Sequence, residues 1–488
     1  MTARVTAALR AVEIVAFRSD PTEPVAVGSI ARRLGMPLSS VSRLCSELER
    51  EGLLEHGEGY GTYRLGAEAV RLSGRATAPF ARSLRLAFLR AAQETGETVC
   101  LVARSSTAMR ITAVVDSPRT LHAPAQLGET VDDAGSAVVR AAETPAPGDQ
   151  DPGGYAESDR GRCAEVAVPV LDPVGACVAV LAVRLPASRS RKGVPAARRA
   201  LETARRTIEH ALTVWADDTS APQPAPAPEA SASPSALQAA IRILWHLAAG
   251  QDTVAGTAAA TGLRFDRAKR LIESCRRAGL VSAGDDQGRL RLEWILHGWY
   301  RAAAQPTLVR RGTPLVAEAA RSTGVSAFLT TLKGMRSFTL VEELQTPGDG
   351  LRMEPWRGRL YPLIGSDGGP TLVMDMDPGE LAQLLPARHT TAEVNAFRDR
   401  VLRVARDGVL SFDSIEDVGL TSISAPVRDA GGGISAAACL VGPTEQVRPR
   451  RRALEAAVRR LAAEVSARLE CPPEVLSTPA GRSRRDGG

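Results

Sequence analysis

Hydrophobic side chains recur every three or four positions in three segments near the start of the chain, residues 6–18, 28–35 and 37–52. This spacing predicts three short helices, with Gly35 in the turn between the second and the third. Residues 53–66 follow as two short apolar runs around a glycine-rich tip and predict a β-hairpin. Helix, helix, turn, helix and hairpin in this order predict a winged helix-turn-helix, whose third helix enters the major groove of double-stranded DNA.

The same pattern returns 227 residues later in a single ungapped register. Turn glycines and core positions of the two segments superpose together, and such a long repeat indicates duplicated architecture. We therefore predict two tandem units with the same fold. The matched pairs are Val27 with Val254, Gly35 with Gly262, Leu44 with Leu271, Gly52 with Gly279, Leu53 with Leu280, Gly57 with Gly284, Gly61 with Gly288 and Leu65 with Leu292.

The exposed face of the first predicted recognition helix carries small hydroxyl residues and one arginine. Small side chains let the helix backbone approach the bases, and an arginine reaches a guanine edge or a phosphate. The tip of the hairpin brings Tyr60 towards the flanking DNA backbone. The predicted DNA contacts of the first unit are Ser39, Ser40, Ser42 and Arg43 in the helix, and Thr62 and Arg64 in the wing.

The second predicted recognition helix, residues 263–279, has lost this hydroxyl-rich start. Its exposed face includes the acidic Asp266, and the wing that follows carries Asp285 and Asp286 at its tip. A carboxylate repels phosphates, although it can accept a hydrogen bond from a cytosine amine. The sequence leaves open whether this helix contacts DNA or packs against the first unit. Its predicted DNA contacts are Arg267, Lys269 and Arg270.

A length of 488 residues predicts several domains, and composition indicates where they divide. The clearest landmark is an Ala/Pro/Ser-rich stretch that is typical of a solvated linker. We expect a DNA-binding winged helix at 1–75, a shortened effector-like domain at 76–215, the linker at 216–235, a divergent winged helix at 236–300, a second effector-binding-like domain at 301–471 and a disordered tail at 472–488.

Charge, cysteine spacing and the absence of catalytic motifs narrow the class of function that the sequence allows. A net charge of +6 permits phosphate contacts without requiring them. The seven cysteines form no CxxC pair, which argues against a zinc site and a disulfide framework, so we expect no metal. With no apolar run long enough to span a membrane and no signal peptide, a cytoplasmic location is expected. The sequence lacks HExxH, GxSxG and Walker motifs, so an enzyme is not expected, nor is a cofactor.

These features together resemble the IclR family of bacterial transcriptional regulators. The resemblance implies an α+β fold in which each unit has a winged helix-turn-helix followed by an effector-binding domain, a curved antiparallel sheet flanked by helices. It also implies a small organic effector and assembly as dimers or dimers of dimers. The segments that carry it are ALRAVEIV (8–15), SIARRLGMPLSSVSRLCSELEREGLLE (29–55), YGTYRLG (60–66), ETGETVCLVARSS (94–106), VAVPVLDPVGACVAVLAV (166–183), YPLIGSDGG (361–369), MDPGELAQLL (376–385) and ISAPVRDAGGGISAAACLVGP (423–443).

The resemblance also implies a ligand pocket in the second half. Glycine-rich loops expose backbone N–H groups and serines donate hydrogen bonds, which suits an anion, but Asp367 would repel one, so an amine-bearing or neutral ligand stays open. The first half lacks the helical segment near 377–408. We therefore expect the first half to read DNA and the second to sense the ligand. The residues implied are Gly365, Ser366, Asp367, Gly368, Gly369, Glu416, Ser422 and Ser424.

Two alternatives to a ligand-modulated regulator stay open at this point. One is a regulator that binds DNA constitutively, and the other is a protein-interaction module that controls another regulator. The duplication also allows two modes of DNA binding. The two winged helices of one chain form an internal pair that reads an asymmetric site, or two chains form a homo-oligomer whose first winged helices read a palindrome.

Overall fold

The computed structural model describes residues 2–18, 23–104, 108–143, 155–159, 161–217, 234–282, 288–346, 352–385, 388–415 and 417–477. Two compact units make up the chain, residues 1–303 and residues 304–488. In the part of the chain that is described, no helix is long and apolar enough to cross a membrane.

The N-terminal elements form the predicted winged helix, here called the first winged helix. Its core is built from the apolar positions of the sequence pattern, such as Val12, Leu44 and Leu48, which are fully buried. A short strand before the second helix adds a third strand to the hairpin, giving the antiparallel order β1-β3-β2. The elements are α1 (Thr2–Ala16), β1 (Val25–Ala26), α2 (Val27–Leu34), α3 (Leu38–Arg50), β2 (Leu54–His56) and β3 (Thr62–Leu65).

The next segment, the first sheet domain, is a six-stranded antiparallel sheet in the order β6-β5-β4-β9-β8-β7. Helices α5 and α7 pack against each other and against the sheet. The elements are α4 (Ala67–Thr77), α5 (Ala81–Thr95), β4 (Thr98–Arg104), β5 (Met109–Val115), β6 (Thr130–Val131), α6 (Ala137–Glu143), β7 (Ala156–Asp159), β8 (Cys163–Leu171), β9 (Cys177–Pro186) and α7 (Ser190–Asp217).

The second winged helix repeats the helix order of the first. Gly262 ends its second helix with a φ of +66°, as Gly35 does with +64°, so the same left-handed turn precedes both recognition helices. Ser235, the last residue of the predicted linker, caps α8 in a reciprocal arrangement with Gln238. The elements are α8 (Ala236–Ala249), β10 (Asp252–Thr253), α9 (Val254–Ala260), α10 (Phe265–Arg277) and β11 (Arg289–Leu290).

Residues 304–488 contain the second sheet domain, whose strand order β14-β13-β12-β17-β16-β15 repeats that of the first. Both sheets also carry a β-bulge at the same place in their first strand, between Leu101 and Val102 and between Leu329 and Thr330. The elements are α11 (Trp299–Thr323), β12 (Ser326–Lys333), β13 (Arg336–Glu343), β14 (Leu360–Pro362), α12 (Gly369–Leu372), α13 (Pro378–Leu384), α14 (Thr391–Asp407), β15 (Leu410–Asp413), β16 (Leu420–Arg428), β17 (Ile434–Pro443), α15 (Thr444–Val447), α16 (Arg451–Arg468) and α17 (Pro473–Ser477).

The predicted α+β fold class with two such units is confirmed. That the two units arose by duplication stays a prediction. Two details differ from the sequence interpretation, because α7 extends two residues into the predicted linker and α17 occupies the start of the predicted tail. Residues 218–233 and 478–488 lie outside the described part of the chain.

An aromatic stack, formed by Phe80, Trp294 and His297, joins the second winged helix to the first sheet domain. The Phe80 ring centroid lies 5.2 Å from that of Trp294 and 5.1 Å from that of His297, with interplanar angles of 12° and 28°. An ion pair between Arg291 and Asp172 lies at the same junction. Because these side chains contact one another across the junction, the compact unit extends to residue 303 rather than ending at the linker.

Candidate nucleic-acid interface and ligand cavity

The first recognition helix, α3, presents its predicted contacts to solvent. The side chains of Ser39, Ser40, Ser42 and Arg43 are all exposed. Arg43 forms no hydrogen bond or ion pair with any residue that the structure describes, so its guanidinium is available to an external partner. The apolar positions Val41, Leu44, Cys45 and Leu48 hold the opposite face of the helix against the core.

The wing places its predicted residues differently. Tyr60 is fully exposed at the tip, and Thr62 is half-buried with its hydroxyl donating to the carbonyl of Gly59 at 2.9 Å. Arg64 is only 6% exposed, and its guanidinium forms an ion pair with Glu58. The structure thus buries Arg64 instead of presenting it to DNA, because strand β3 is buried on both faces here, with Tyr63 and Leu65 buried as well.

The second recognition helix, α10, exposes Lys269 and Arg270 as predicted. Arg267 is half-buried instead, and it donates to the carbonyl oxygen of Pro234, at the start of the second winged helix. The acidic Asp266 is exposed beside them. The wing-tip residues Asp285 and Asp286 lie outside the described residues.

An exposed apolar side chain opens each recognition helix, a feature that the sequence interpretation missed. Leu38 is 55% exposed and Phe265 is 51% exposed, and the 227-residue register relates them. Large apolar groups at the tip of a recognition helix suit contact with thymine methyl groups. The sequence signal that could have identified them is an apolar residue directly after the turn, just outside the pattern of buried positions.

The two winged helices pack against each other within residues 1–303. Helix α1 of the first lies against α10 of the second, where Thr6 donates to the carbonyl of Ser274 at 3.0 Å and Arg10 to that of Arg277 at 2.9 Å. In the reciprocal contact, Gln238 at the start of α8 donates to Glu51, which follows α3, at 3.1 Å. The first helix of each winged helix thus contacts the C-terminal end of the other's recognition helix.

A second layer of contacts, made by α4 of the first sheet domain, supports this pairing. The indole N–H of Trp245 donates to Glu68 at 2.6 Å. The buried hydroxyl of Ser73 donates to the carbonyl of Leu296 at 2.6 Å and accepts from the backbone N–H of Tyr300 at 3.0 Å. Buried hydrogen bonds of this kind fix one relative placement, because breaking them leaves polar groups unsatisfied.

In the second sheet domain, a small cavity of about 30 Å³ opens over the sheet. A site for one water molecule needs about 10–15 Å³, so the cavity has room for two or three groups of that size. Four predicted ligand residues line it, namely Gly365, Ser366, Asp367 and Gly368. The other lining residues are Phe328, Thr330, Ser337, Thr339, Trp356, Tyr361, Ser414, Asp417 and Cys439.

The glycines of the predicted loop are needed for close packing. A Cβ on Gly368 would lie 2.4 Å from the hydroxyl oxygen of Thr330, and one on Gly369 would lie 2.0 Å from the carbonyl oxygen of Leu363. The loop therefore lies directly on the sheet. Ser366 turns its hydroxyl inward to the carbonyl of Leu363 at 3.3 Å.

The remaining predicted ligand residues do not line this cavity. Ser422 and Ser424 are fully buried in β16, and the hydroxyl of Ser424 lies 2.8 Å from that of Thr371 in α12, which covers it. Gly369 is buried at the start of α12. Glu416 lies outside the described residues.

The cavity floor is polar and uncharged. Thr330 and Thr339 pair across β12 and β13, and Phe328 pairs with Cys439 across β12 and β17. Burial, and then the charge of the Asp367 carboxylate, raise the pKa of the Cys439 thiol, so this group stays neutral. Buried serine and threonine side chains on one face of a sheet were the signal that sequence interpretation missed.

The first sheet domain fills the equivalent space. At the places of Thr330, Thr339 and Cys439 in strand order and register it has Val102, Ile111 and Ala182. Apolar side chains of α6 pack directly onto these residues and form a continuous core. Among the residues that the structure describes, the open polar surface therefore belongs to the second sheet domain.

Two family models match the chain. The IclR helix-turn-helix domain matches residues 7–58, and the bacterial transcriptional regulator IclR C-terminal domain matches residues 301–467. The protein belongs to the IclR family. It is therefore a DNA-binding transcriptional regulator and not an enzyme, as the sequence predicted.

Solved structures of other IclR proteins show low overall similarity. A Rhodococcus sp. protein described as an IclR-family transcriptional regulator is 20% identical, with 49% of this chain and 97% of that chain covered and a TM-score of 0.37. The repressor BlcR of Agobacterium tumefaciens is 21% identical, with 49% and 98% covered and a TM-score of 0.33. An Alicyclobacillus acidocaldarius IclR regulator is 20% identical, with 48% and 98% covered and a TM-score of 0.30. None of the curated proteins matches the sequence. The family assignment therefore rests on the two domain models.

The two matched domains of this IclR protein are the first winged helix and the second sheet domain. These are the domains with the exposed hydroxyl-rich recognition helix and with the open polar cavity.

Proposed function

We propose that this IclR protein is a sequence-specific regulator that reads its operator with both winged helices of a single chain. The observation that carries the proposal is the reciprocal packing of α1 on α10 and of α8 on the end of α3. This packing leaves the N-terminal halves of both recognition helices exposed. In dimeric helix-turn-helix proteins, two such helices enter successive major grooves about 34 Å apart.

The two recognition helices present different chemistry, so the preferred site is asymmetric. Helix α3 offers Leu38, three serines and Arg43, which suit a guanine and a neighbouring thymine methyl group. Helix α10 offers Phe265, Asp266 and Lys269. An exposed carboxylate on this face favours a cytosine amine and disfavours close phosphate contact.

We further propose a division of labour in which a small molecule bound by the second sheet domain modulates DNA binding. Support comes from the polar cavity there and from the filled core at the equivalent place in the first sheet domain. A ligand shifts DNA affinity only if it binds the two conformational states with different affinity. Its effect is therefore measured as a change in operator affinity at saturating ligand.

The first test is an anisotropy titration of the full chain on DNA obtained by selection from random sequence. Arg43→Ala is expected to weaken binding by about 1–3 kcal/mol and to relax the preference at one base pair. Lys269→Ala is expected to weaken binding and reduce the salt dependence by about one unit of slope. Arg82→Ala, an exposed arginine on α5, serves as the control and is expected to have no effect.

Stoichiometry and footprint distinguish the internal pair from a homodimer. One chain per operator with an asymmetric footprint, sensitive to both Arg43→Ala and Lys269→Ala, supports the internal pair. Two chains on a palindrome, with no effect of Lys269→Ala, would contradict it and support reading by two first winged helices. Failure to select any sequence would contradict sequence-specific regulation itself.

A further inference from the structure

The cavity of the second sheet domain has a distinctive electrostatic character. Two carboxylates, Asp367 and Asp417, lie in its lining, and none of the described residues lining it is a lysine, an arginine or a histidine. Asp367 is half-buried beside the neutral floor, whereas Asp417 is exposed at the rim. An anion entering this space would meet two lining groups of like charge.

Three aromatic rings form one side of the cavity. Trp356 stacks on Phe328 with ring centroids 5.0 Å apart, and Tyr361 meets Trp356 edge-on at 6.3 Å. The segment that carries Trp356 is held in place because its backbone N–H donates to the Glu342 carboxylate at 2.7 Å. Ring faces attract cations through their quadrupole, most strongly when water is excluded.

The size of the cavity limits what enters it. Room for two or three small groups suits a compact charged head group, with the remainder of the ligand at the mouth. The hydroxyls of Thr330, Ser337 and Thr339 offer acceptor oxygens to the N–H groups of such a head.

We propose that the second sheet domain recognises an organic ammonium ion, whose head group enters between the aromatic rings and the carboxylates. This inference rests on the proposal that this domain holds the modulating ligand. It goes further by assigning the ligand a positive charge. Asp367 supplies the half-buried countercharge, Asp417 attracts the cation at the rim, and Trp356 provides the ring face that it contacts.

The test compares three probes of similar shape and different charge, namely benzylammonium, benzyl alcohol and benzoate. Each is titrated into the full chain and followed by calorimetry and by tryptophan fluorescence. Benzylammonium is expected to bind at least about tenfold more tightly than benzyl alcohol, and benzoate to bind more weakly than both. Equal or tighter binding of benzoate, or no saturable binding of benzylammonium at millimolar concentration, would overturn the proposal.

Variants locate the binding to this cavity. Asp367→Asn and Asp417→Asn are each expected to weaken benzylammonium binding several-fold and to leave benzyl alcohol binding unchanged, because only the charge is removed. Asp399→Asn, an exposed acid on α14, is the matched control and is expected to change neither. If all three variants bind benzylammonium as the parent does, the cation lies elsewhere and the proposal is wrong.

Operator binding, measured on the same protein, separates this inference from the proposed function. Charge-selective binding without specific DNA binding would uphold the ammonium site and refute the regulator. Specific DNA binding without charge-selective ligand binding would refute the ammonium site and uphold the regulator. Charge-selective binding that leaves operator affinity unchanged would uphold the site and refute modulation through it.

Discussion

The aromatic junction makes the stability of residues 1–303 depend on pH through one histidine. His297 is 4% exposed, and its ring packs against those of both Phe80 and Trp294. Burial, together with the positive charge of Arg301, lowers the pKa of this imidazole from 6.5 to about 3. The folded protein therefore holds His297 neutral, whereas the unfolded chain takes up a proton below pH 6.5.

The sign and size of the effect follow from this difference in pKa. Because the folded-state pKa is the lower one, the stability contribution is complete above pH 6.5 and is lost as the pH falls towards about 3. At pH 5, about 1.5 units below the unfolded value, the loss for this one group is about 2 kcal/mol. His297→Phe keeps an aromatic ring in the stack and removes the titration.

The assay is urea unfolding of both proteins at pH 7 and pH 5, followed by tryptophan fluorescence, since Trp294 contacts the imidazole directly. The parent is expected to lose about 2 kcal/mol more than His297→Phe between the two pH values. Burial raises the pKa values of Glu209 and Glu293, but these groups titrate in both proteins and cancel in the comparison. An equal loss in the two proteins would refute the assignment of a buried neutral imidazole.

Three further substitutions test the turn, the pairing and the loop. Gly35→Ala is expected to lower the free energy of unfolding by about 1 kcal/mol in a thermal melt, because φ is +64° at this position. The control Gly28→Ala lies inside α2 with open space around its Cβ position and is expected to be neutral or stabilising. The reverse order of stabilities would contradict the turn geometry. Trp245→Phe removes the 2.6 Å hydrogen bond from α8 of the second winged helix to the Glu68 carboxylate on α4 and is expected to cost about 1.5 kcal/mol, with operator affinity falling in parallel; unchanged affinity would show that this contact does not support DNA reading. Gly368→Ala places a methyl group 2.4 Å from the Thr330 hydroxyl oxygen and is expected to weaken benzylammonium binding more than Asp399→Asn does, as calorimetry would show.

The pairing of unlike winged helices gives one chain a property that symmetric dimers lack. An isologous dimer presents two copies of one reading surface and therefore matches a palindrome. Here a single compact unit carries two different reading surfaces. Helix α3 presents Arg43 and its serines, and helix α10 presents Phe265 and Asp266. In the internal-pair proposal, the operator half-sites differ because the two reading surfaces differ.

The helices and turns of both winged helices were predictable because their signals are local. Apolar spacing sets the buried face of a helix, as at Leu44 and Leu271, and a left-handed turn needs glycine, as at Gly35 and Gly262. The solvent exposure of Ser39, Ser40, Ser42 and Arg43 follows from the same periodicity, since the helix positions between the buried ones face solvent. The fold class also followed from such patterns, once they were compared with the IclR family.

The candidate ligand site was predictable only in part. The loop that contains Gly365 and Asp367 was identified, but Ser422 and Ser424 were assigned to the same pocket and are instead fully buried in β16, Ser424 beneath α12. Of the aromatic residues in the cavity lining, Tyr361 is close to the loop in sequence, but Phe328 comes from the distant strand β12 and Trp356 from the connection before β14. No local pattern shows which side chains meet across a sheet or which of them a helix covers.

Sequence by itself therefore determined the order of elements, the repeat and the reading face of α3, because each depends on neighbours within a few positions. The tertiary structure alone decided three things: that the two winged helices pack reciprocally, that Arg64 is buried against Glu58, and that one sheet domain is filled while the other is open. The first and the third depend on contacts between residues far apart in the chain, whereas Arg64 and Glu58 are six residues apart and meet through the fold of the wing. Such contacts form only when whole elements pack together, and packing selects among arrangements that the local pattern allows equally.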